Sequence, residues 1–293
     1  QEPSNSAVMQ VSAPGAPGAE PFWAYAGKTG IGTSFEQYQN GLYSDEAPTG
    51  TVSKVWFSIA KGMITETMFG LIHQAQIKDM QFVVVGKGFT VTEADDLDVT
   101  IDYLYKDDKG RPLSLAYKVV SKDKQGRFSL EKHIFTDPDG QSLFVRSIFN
   151  TELEGVKAYV SVNPYVDNNG LDDFAKTTEQ GLLAWQDNSY LSLQGAQPFK
   201  QTSVGFTGVS DGLSQLKTTQ QLTQVYKNTG EQSGNVSLLA ELGEIGENSQ
   251  FDLTLSFGNS EQISFKQGQA TLAKGYQAVL DNYNGKGEAL GWQ

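Results

Sequence analysis

The sequence contains no cysteine and only two histidines, His73 and His133, far apart along the chain. The first absence removes disulfides, thiolate nucleophiles and cysteine-ligated zinc from consideration. Two scattered histidines leave little material for histidine acid–base chemistry, and no G-x-S-x-G elbow accompanies them. Positive charge is also scarce. Lys and Arg number 22 against 34 Asp and Glu, a formal net charge of −12. Nucleic-acid binding needs clustered Lys and Arg to neutralise phosphates, so the charge balance argues against a nucleic-acid partner and none is expected. An anionic membrane surface is an equally poor match. No apolar run approaches the roughly 20 residues that cross a bilayer as a helix, so no membrane partner is expected. No secretory leader is visible. The polar opening QEPSNSAVMQVSAPGAPGAEP fits a mature N-terminus, and a secreted or periplasmic location is the expectation.

What is present is β-structure. The chain has 293 residues, 38% hydrophobic and 11% aromatic, ample for a large core. That length accommodates one large all-β domain or two smaller ones. Residues 1–21 hold four of the nine prolines and read as a flexible, draped segment. From 22 to 258, runs such as VSKVWFSI (52–59), MQFVVVG (80–86), LDVTIDYLY (97–105), SLFVRSIF (142–149), GVKAYVSVN (155–163), LLAWQD (182–187) and SQFDLTLSFG (249–258) recur. Their joints include DDKG (107–110), DKQG (123–126) and DPDG (137–140), where Asp favours the start of a turn and Gly its end. Short strands joined by tight turns argue for antiparallel sheets. In LDVTIDYLY, Leu97, Val99, Ile101, Tyr103 and Tyr105 share one face, the alternation of a layered sandwich. No fixed period marks a propeller or solenoid.

The pattern changes over 259–293. Asn259 or Ser260 can cap a helix, and Leu272, Tyr276, Val279, Leu280 and Tyr283 form one helical stripe. Gly285 and Gly287 are expected to stop it.

Chemistry-bearing motifs are sparse. GKTGIGTS (27–34) is Gly-rich, but no helix pattern follows it, so it reads as a turn rather than a phosphate loop. YVDNNGLDD (165–173) clusters acids and amides, yet its Gly is fourth after Asp167 counted as first, whereas an EF-hand needs it sixth. It reads as a surface loop, with an adventitious calcium ion as the alternative; no cofactor and no metal ligand set is expected. No acidic pair stands in an apolar setting that would raise a pKa. His73 and His133 read as structural or surface residues. Trp56 reads as core, whereas Trp23, Tyr25, Tyr165 and Trp185 are candidates for stacking on a sugar.

The pieces GAPGAEPFW (15–23), KTGIGTSFE (28–36), VWFSIAKGMITETMF (55–69), IKDMQFVVV (77–85), SLEKHIFTDP (129–138), GFTGVSDG (205–212) and YNGKGEALGWQ (283–293) occur in one order over almost the whole chain. The set resembles the N-terminal β domain of bacterial glucoamylases and glucodextranases, glycoside hydrolase family 15. The resemblance implies an all-β fold, a large two-sheet antiparallel supersandwich similar to galactose mutarotase, over 22–258. A linker helix over 259–293 would lead into an (α/α)6 barrel that carries both catalytic glutamates. It implies that the chain ends where that barrel would begin, that no catalytic residue of the family is present here, and that the partner is the chain's own catalytic domain. The sequence departs from the family where a Tyr-Tyr-Pro usually follows the TE pair and an Asp lies a few residues on. Met68-Phe69-Gly70 and His73 stand there instead.

Three functions compete. A docking domain should expose an apolar patch near the 63–73 hairpin and the C-terminal helix, with Thr65, Glu66, Thr67, Met68, Phe69, His73, Tyr276, Tyr283 and Trp292 as candidate contacts. A carbohydrate-binding module, partnered by an oligo- or polysaccharide, should align two or three exposed rings in a groove. A stand-alone sugar epimerase would want histidines and a carboxylate in one cleft.

Overall fold

The computed structural model describes residues 7–21, 28–33, 38–39, 42–43, 55–69 and 75–289. In chain order the strands begin with β1 (Val8–Ser12), β2 (Lys28–Thr33), β3 (Tyr38–Gln39), β4 (Leu42–Tyr43), β5 (Val55–Ala60), β6 (Met63–Phe69) and β7 (Ile77–Gly86). They continue with β8 (Phe89–Thr92), β9 (Asp98–Tyr103), β10 (Tyr117–Lys122), β11 (Ser129–Thr136), β12 (Ser142–Asn150), β13 (Lys157–Pro164) and β14 (Phe174–Thr178). The last are β15 (Gly181–Gln186), β16 (Ser189–Gly195), β17 (Gln201–Phe206), β18 (Gln224–Asn228), β19 (Val236–Glu244) and β20 (Ser249–Gly258). The helices are α1 (Gly212–Thr219), α2 (Glu261–Lys274) and α3 (Tyr276–Ala289).

The strands form two large sheets. A ten-stranded sheet runs β1-β18-β14-β15-β16-β20-β12-β11-β10-β9, and an eight-stranded sheet runs β17-β19-β13-β7-β6-β5-β2, with β8 on β7. All pairs are antiparallel except β1 with β18. Period-2 alternation decides which side chains meet between the sheets. Met80, Phe82 and Val84 of β7 and Val160 and Val162 of β13 share one core with Leu143, Val145 and Phe149 of β12 and Leu253, Leu255 and Phe257 of β20. Phe82 meets Phe149 edge-on at 5.7 Å, and Phe69 stacks on Phe257 at 5.3 Å, so aromatic pairs bridge the layers. Each such fully buried side chain contributes about 1.5–3 kcal/mol. The alternation read in LDVTIDYLY holds as far as Tyr103, where β9 ends; Tyr105, placed on the same face by the pattern, is 36% exposed. Leu97, Val99, Ile101 and Tyr103 pack on the core, while Asp98 and Thr100 face water.

Three expectations change. Within 1–21, residues 7–21 are integrated rather than draped. β1 pairs in parallel with β18, Ala13 is buried, Asn235 N–H donates to the Pro17 carbonyl and Ser210 Oγ to the Pro14 carbonyl. The prolines mark the turns after β1, but the backbone partners lie some 200 residues away and leave no trace in local composition. The C-terminal helix is two helices. Ser260 caps α2 by accepting from Ile263 N–H, Gly275 at φ 82° breaks the chain direction, and α3 then runs through Gly285 and Gly287. Glycine costs a helix interior only about 1 kcal/mol, which α3 tolerates. Helix α1 was not anticipated. Asp211 caps it by accepting from Ser214 N–H, and Leu216 with Leu222 packs on Val83, Val85, Tyr159 and Leu239 of the outer face of the eight-stranded sheet.

Candidate functional site on the outer face of the ten-stranded sheet

Helices α2 and α3 cover one half of this face. Beneath α2 the sheet carries small and hydroxyl side chains. Ser192 Oγ donates to the Ser264 carbonyl and Ser264 Oγ to the Ser256 carbonyl, each at 3.1 Å. A Cβ on Gly268 would lie 1.9 Å from Gln194 Oε1 and 2.9 Å from Ser256 Oγ, so a larger residue would have to displace the Gln194 amide. At the far end, buried Asp137 of the DPDG turn accepts from Thr271 Oγ1 at 2.7 Å and Lys274 Nζ at 2.8 Å. Under α3, Val279, Leu280 and Tyr283 form a second core with Ala116, Phe135 and Phe144.

A polar row lies beside that cluster. His133, Arg146 and Asp252 are cross-strand neighbours on β11, β12 and β20. Arg146 makes a bidentate pair with Asp252 at 2.8 and 2.9 Å, and its guanidinium lies 3.8 Å from the centroid of the Tyr276 ring. The Asp252 hydrogen bonds hold the Arg146 pKa above its ordinary value. Burial pushes the Tyr276 hydroxyl up to about 12 and Tyr283 well above its ordinary value. His133 is engaged on both nitrogens, with Tyr276 Oη at 2.7 Å and Glu131 Oε2 at 2.8 Å. This row fastens α3 to the sheet.

The other half of the face carries aromatic rings. Phe174 of β14 pairs with Trp185 of β15, which pairs with Tyr190 of β16. The ring centroids are 5.7 and 6.2 Å apart and the planes differ by 19° and 13°. Lys176 Nζ lies 5.8 Å from the Trp185 ring and is bonded to Glu261 at 2.8 Å. Only Trp185 was singled out from sequence. Its partner Tyr190 was legible in WQDNSY, because a two-residue Asp187-Asn188 turn sets Trp185 opposite Tyr190; Phe174 is placed by the separate β14–β15 hairpin.

The remaining sequence candidates do not converge. Thr65, Thr67 and Tyr283 are fully buried inside this chain and offer no contact surface. Ser58 Oγ bonds Thr65, which fixes the hairpin internally. Glu66, at φ 38°, pairs with Lys28; Met68 is half-buried, and so is Phe69, whose ring is engaged with Phe257. Tyr276 is half-buried against Arg146, and Tyr165 is half-buried, its ring over Gly170 beside Pro21. His73, Trp23, Tyr25 and Trp292 lie outside the described residues. The apolar patch expected on the C-terminal helix is turned inward. Its exposed positions include Gln262, Lys266, Gln269, Gln277 and Asp281, because the stripe is used on Phe135 and Phe144. Ile263 of α2 stays 38% exposed, but larger apolar exposure lies on β1, where Val8, Met9 and Val11 are 59%, 64% and 66% exposed, and at Val209, 59% exposed.

The 165–173 loop is occupied by its own hydrogen bonds. Asp167 accepts from Gln76 Nε2 at 3.0 Å and Ser189 Oγ at 2.6 Å, and Asn168 Oδ1 from Ala75 N–H at 2.8 Å. Among the described residues no group of three or more His, Cys, Asp or Glu could hold a metal ion.

Comparison with known proteins decides the family. The model of "Glucodextranase, domain N" matches residues 13–293. The chain belongs to the glucodextranase N-domain family. It is 33% identical to a glucoamylase of Clostridium sp. (strain G0005) over 303 residues, 96% of this chain and 40% of that protein. A crystal structure of a bacterial glucoamylase complexed with acarbose superposes with a TM-score of 0.80 at 30% identity, over 94% of this chain and 39% of that one. The chain thus spans about two fifths of the relatives it matches, and the N-domain fold expected from sequence, two large antiparallel sheets with few helices, is the one observed.

Proposed function

We infer that this chain is the non-catalytic β domain of a glucoamylase-type glycoside hydrolase. It docks on and stabilises an (α/α)6 barrel that hydrolyses α-glucosidic bonds of starch-like or dextran-like glucans. The observation that carries this reading is the two-fifths match to glucoamylases, which leaves most of each relative without a counterpart here. The local chemistry agrees with it. His133 is held between Tyr276 and Glu131, and Arg146 is held by Asp252. The described surface best suited to docking is β1, an edge strand whose sequence VMQVS carries no charge and three exposed apolar side chains. An exported enzyme acting on polymer outside the cell fits the same reading.

Two measurements test it. The purified chain, incubated with maltooligosaccharides and dextran, should release no glucose and should not speed sugar anomer interconversion; turnover of either kind overturns the non-catalytic assignment. Mixed with the separately produced catalytic portion of a glucoamylase, the chain should co-elute, raise that portion's melting temperature and lose affinity in a Met9→Asp, Val11→Asp variant. Independent elution with unchanged melting overturns docking.

A further inference from the structure

We propose that the Phe174–Trp185–Tyr190 row is a glucan-binding shelf, a surface site for a neutral pyranose chain. The three rings are held in register by adjacent strands, so their spacing is fixed by the sheet and not by loop conformation. They belong to none of the three hydrophobic clusters of the described residues, either as members or as packed neighbours. Each is half-buried, shielded by its neighbours in the row. A rigid row of this kind keeps its geometry without ligand, so little ordering cost falls on binding.

The surroundings select the ligand. A pyranose offers C–H faces for aromatic contact and hydroxyls at its rim, so it needs rings flanked by polar groups. Phe174, Lys176 and Thr178 alternate onto one face of β14. A track therefore runs from the rings, past the Lys176–Glu261 pair, to a recess of about 470 Å³ between the β14–β15 turn and α2. The recess is lined by Thr178, Gln180, Glu261 and Gln269 beside Phe265. Phosphate-bearing ligands are disfavoured, because Lys176 is neutralised by Glu261, Lys266 lines the recess together with Glu179 and Glu261, and the chain carries a net −12. A second copy of the chain is also disfavoured. A stable interface hides about 800 Å² per partner, whereas three aromatic side chains bury only about 150–250 Å² each even when fully covered, and these rings are half-covered already. The choice of an α-linked glucan rests on the proposed function; the shelf itself does not.

The test is calorimetric titration of the full chain with maltoheptaose, isomaltoheptaose and cellohexaose, each to about 10 mM, the affinity range of a few stacked rings. Binding of an α-linked oligosaccharide is expected, weakened at least about tenfold by Trp185→Ala and several-fold by Tyr190→Ala. Trp185→Phe, which keeps a ring in the row, should retain part of the affinity. Melting temperature and circular dichroism establish that each variant is folded. No heat with any sugar, or equal affinity in the chain and in folded Trp185→Ala and Tyr190→Ala variants, overturns the shelf. Binding of cellohexaose alone, still dependent on Trp185, supports the shelf and overturns the α-glucan assignment. Loss of docking in the experiment above would leave this result unchanged.

Discussion

Lys132 is the perturbation of choice for the core. It sits on β11 between Leu130 and Ile134, pointing between the sheets, with no exposed surface. Its ammonium pairs with Glu93, which is 2% exposed, and also donates to the Gly62 carbonyl. Glu93 comes from the opposite layer, just after β8, and its other oxygen accepts from Phe82 N–H at 2.8 Å. The pair therefore ties the two sheets through the middle of the sandwich. Replacing Lys132 by Met keeps an unbranched stem and removes the charge, leaving a buried carboxylate with a single N–H. Breaking a buried pair in this way costs about 3–5 kcal/mol. At roughly 2–4 °C per kcal/mol for a chain near this size, the melting temperature should fall by about 6–20 °C. Burial already raises the Glu93 pKa, and Lys132 opposes that rise. Without Lys132 the folded-state value climbs further above the unfolded one. The native state then holds its proton to higher pH than the unfolded chain does, so stability falls as pH rises through that window. The defect in Lys132→Met should thus be small in mild acid and grow toward pH 8. A double variant, Lys132→Met with Glu93→Leu, removes both charges and should recover most of the loss. Chemical denaturation across pH measures all three proteins. A defect under about 1 kcal/mol at pH 8, or one that deepens in acid, would show that the pair is not a desolvated bridge.

Other parts of the fold make separate predictions. Burial, with the Asp172 and Asp167 charges adding, pushes the Asp173 carboxyl up to about 8 against the Val166 N–H that opposes it. Its Oδ1 has no partner, so the native state keeps the proton and stability should decline between about pH 4, the unfolded value, and about 8; Asp173→Asn should flatten that decline in melts across pH, and an unchanged slope refutes it. Tyr276→Phe keeps the ring over Arg146 but loses the 2.7 Å bond to His133, which should cost about 0.5–1.5 kcal/mol in urea denaturation, and Tyr276→Ala should cost more. Ser260→Ala removes the α2 cap for about 1 kcal/mol, read as faster amide exchange in the first turn of α2.

How much of this was legible depended on range. Strand existence, turn chemistry and the Ser260 cap are local, and the structure bears them out: Asp107 N-terminal to Gly110 accepts from Lys109 and Arg111 N–H, as its turn requires. Pairings set by distant segments were not legible. β1 finds its partner more than 200 residues away, and Tyr283 reads as a surface stripe residue until Phe135 and Phe144 are placed beneath it. Helix α1 was missed for another reason. Its two short turns, GLSQLKTT, carry only two leucines and end in Thr-Thr, and Asp211 is the one strong local signal. The family resemblance supplied the architecture that composition alone could not choose. It did not supply the aromatic row, which needed the register of two hairpins.

That register also explains why the outer face of the ten-stranded sheet is divided. A helix packs closely only where side chains beneath it are small or can bond its backbone. Ser192 and Ser256 meet that condition in the sheet and Gly268 meets them from the helix, while Ser192 Oγ satisfies the Ser264 carbonyl and Ser264 Oγ the Ser256 carbonyl. Phe174, Trp185 and Tyr190, one pleat row away, would hold the same helix off by the thickness of a ring. The helix starts at Glu261, and Gly258, opposite Tyr190, passes so close to Ile263 that a Cβ would lie 2.7 Å from it. The sheet thus presents a bonded half and a ringed half, and the boundary falls at the Lys176–Glu261 pair. If Trp185 and Tyr190 were merely unfilled packing, shrinking them would let the end of α2 settle toward the sheet and protect its first turn. If they serve a ligand, the same substitutions leave amide exchange at Glu261–Ser264 unchanged and alter only sugar binding.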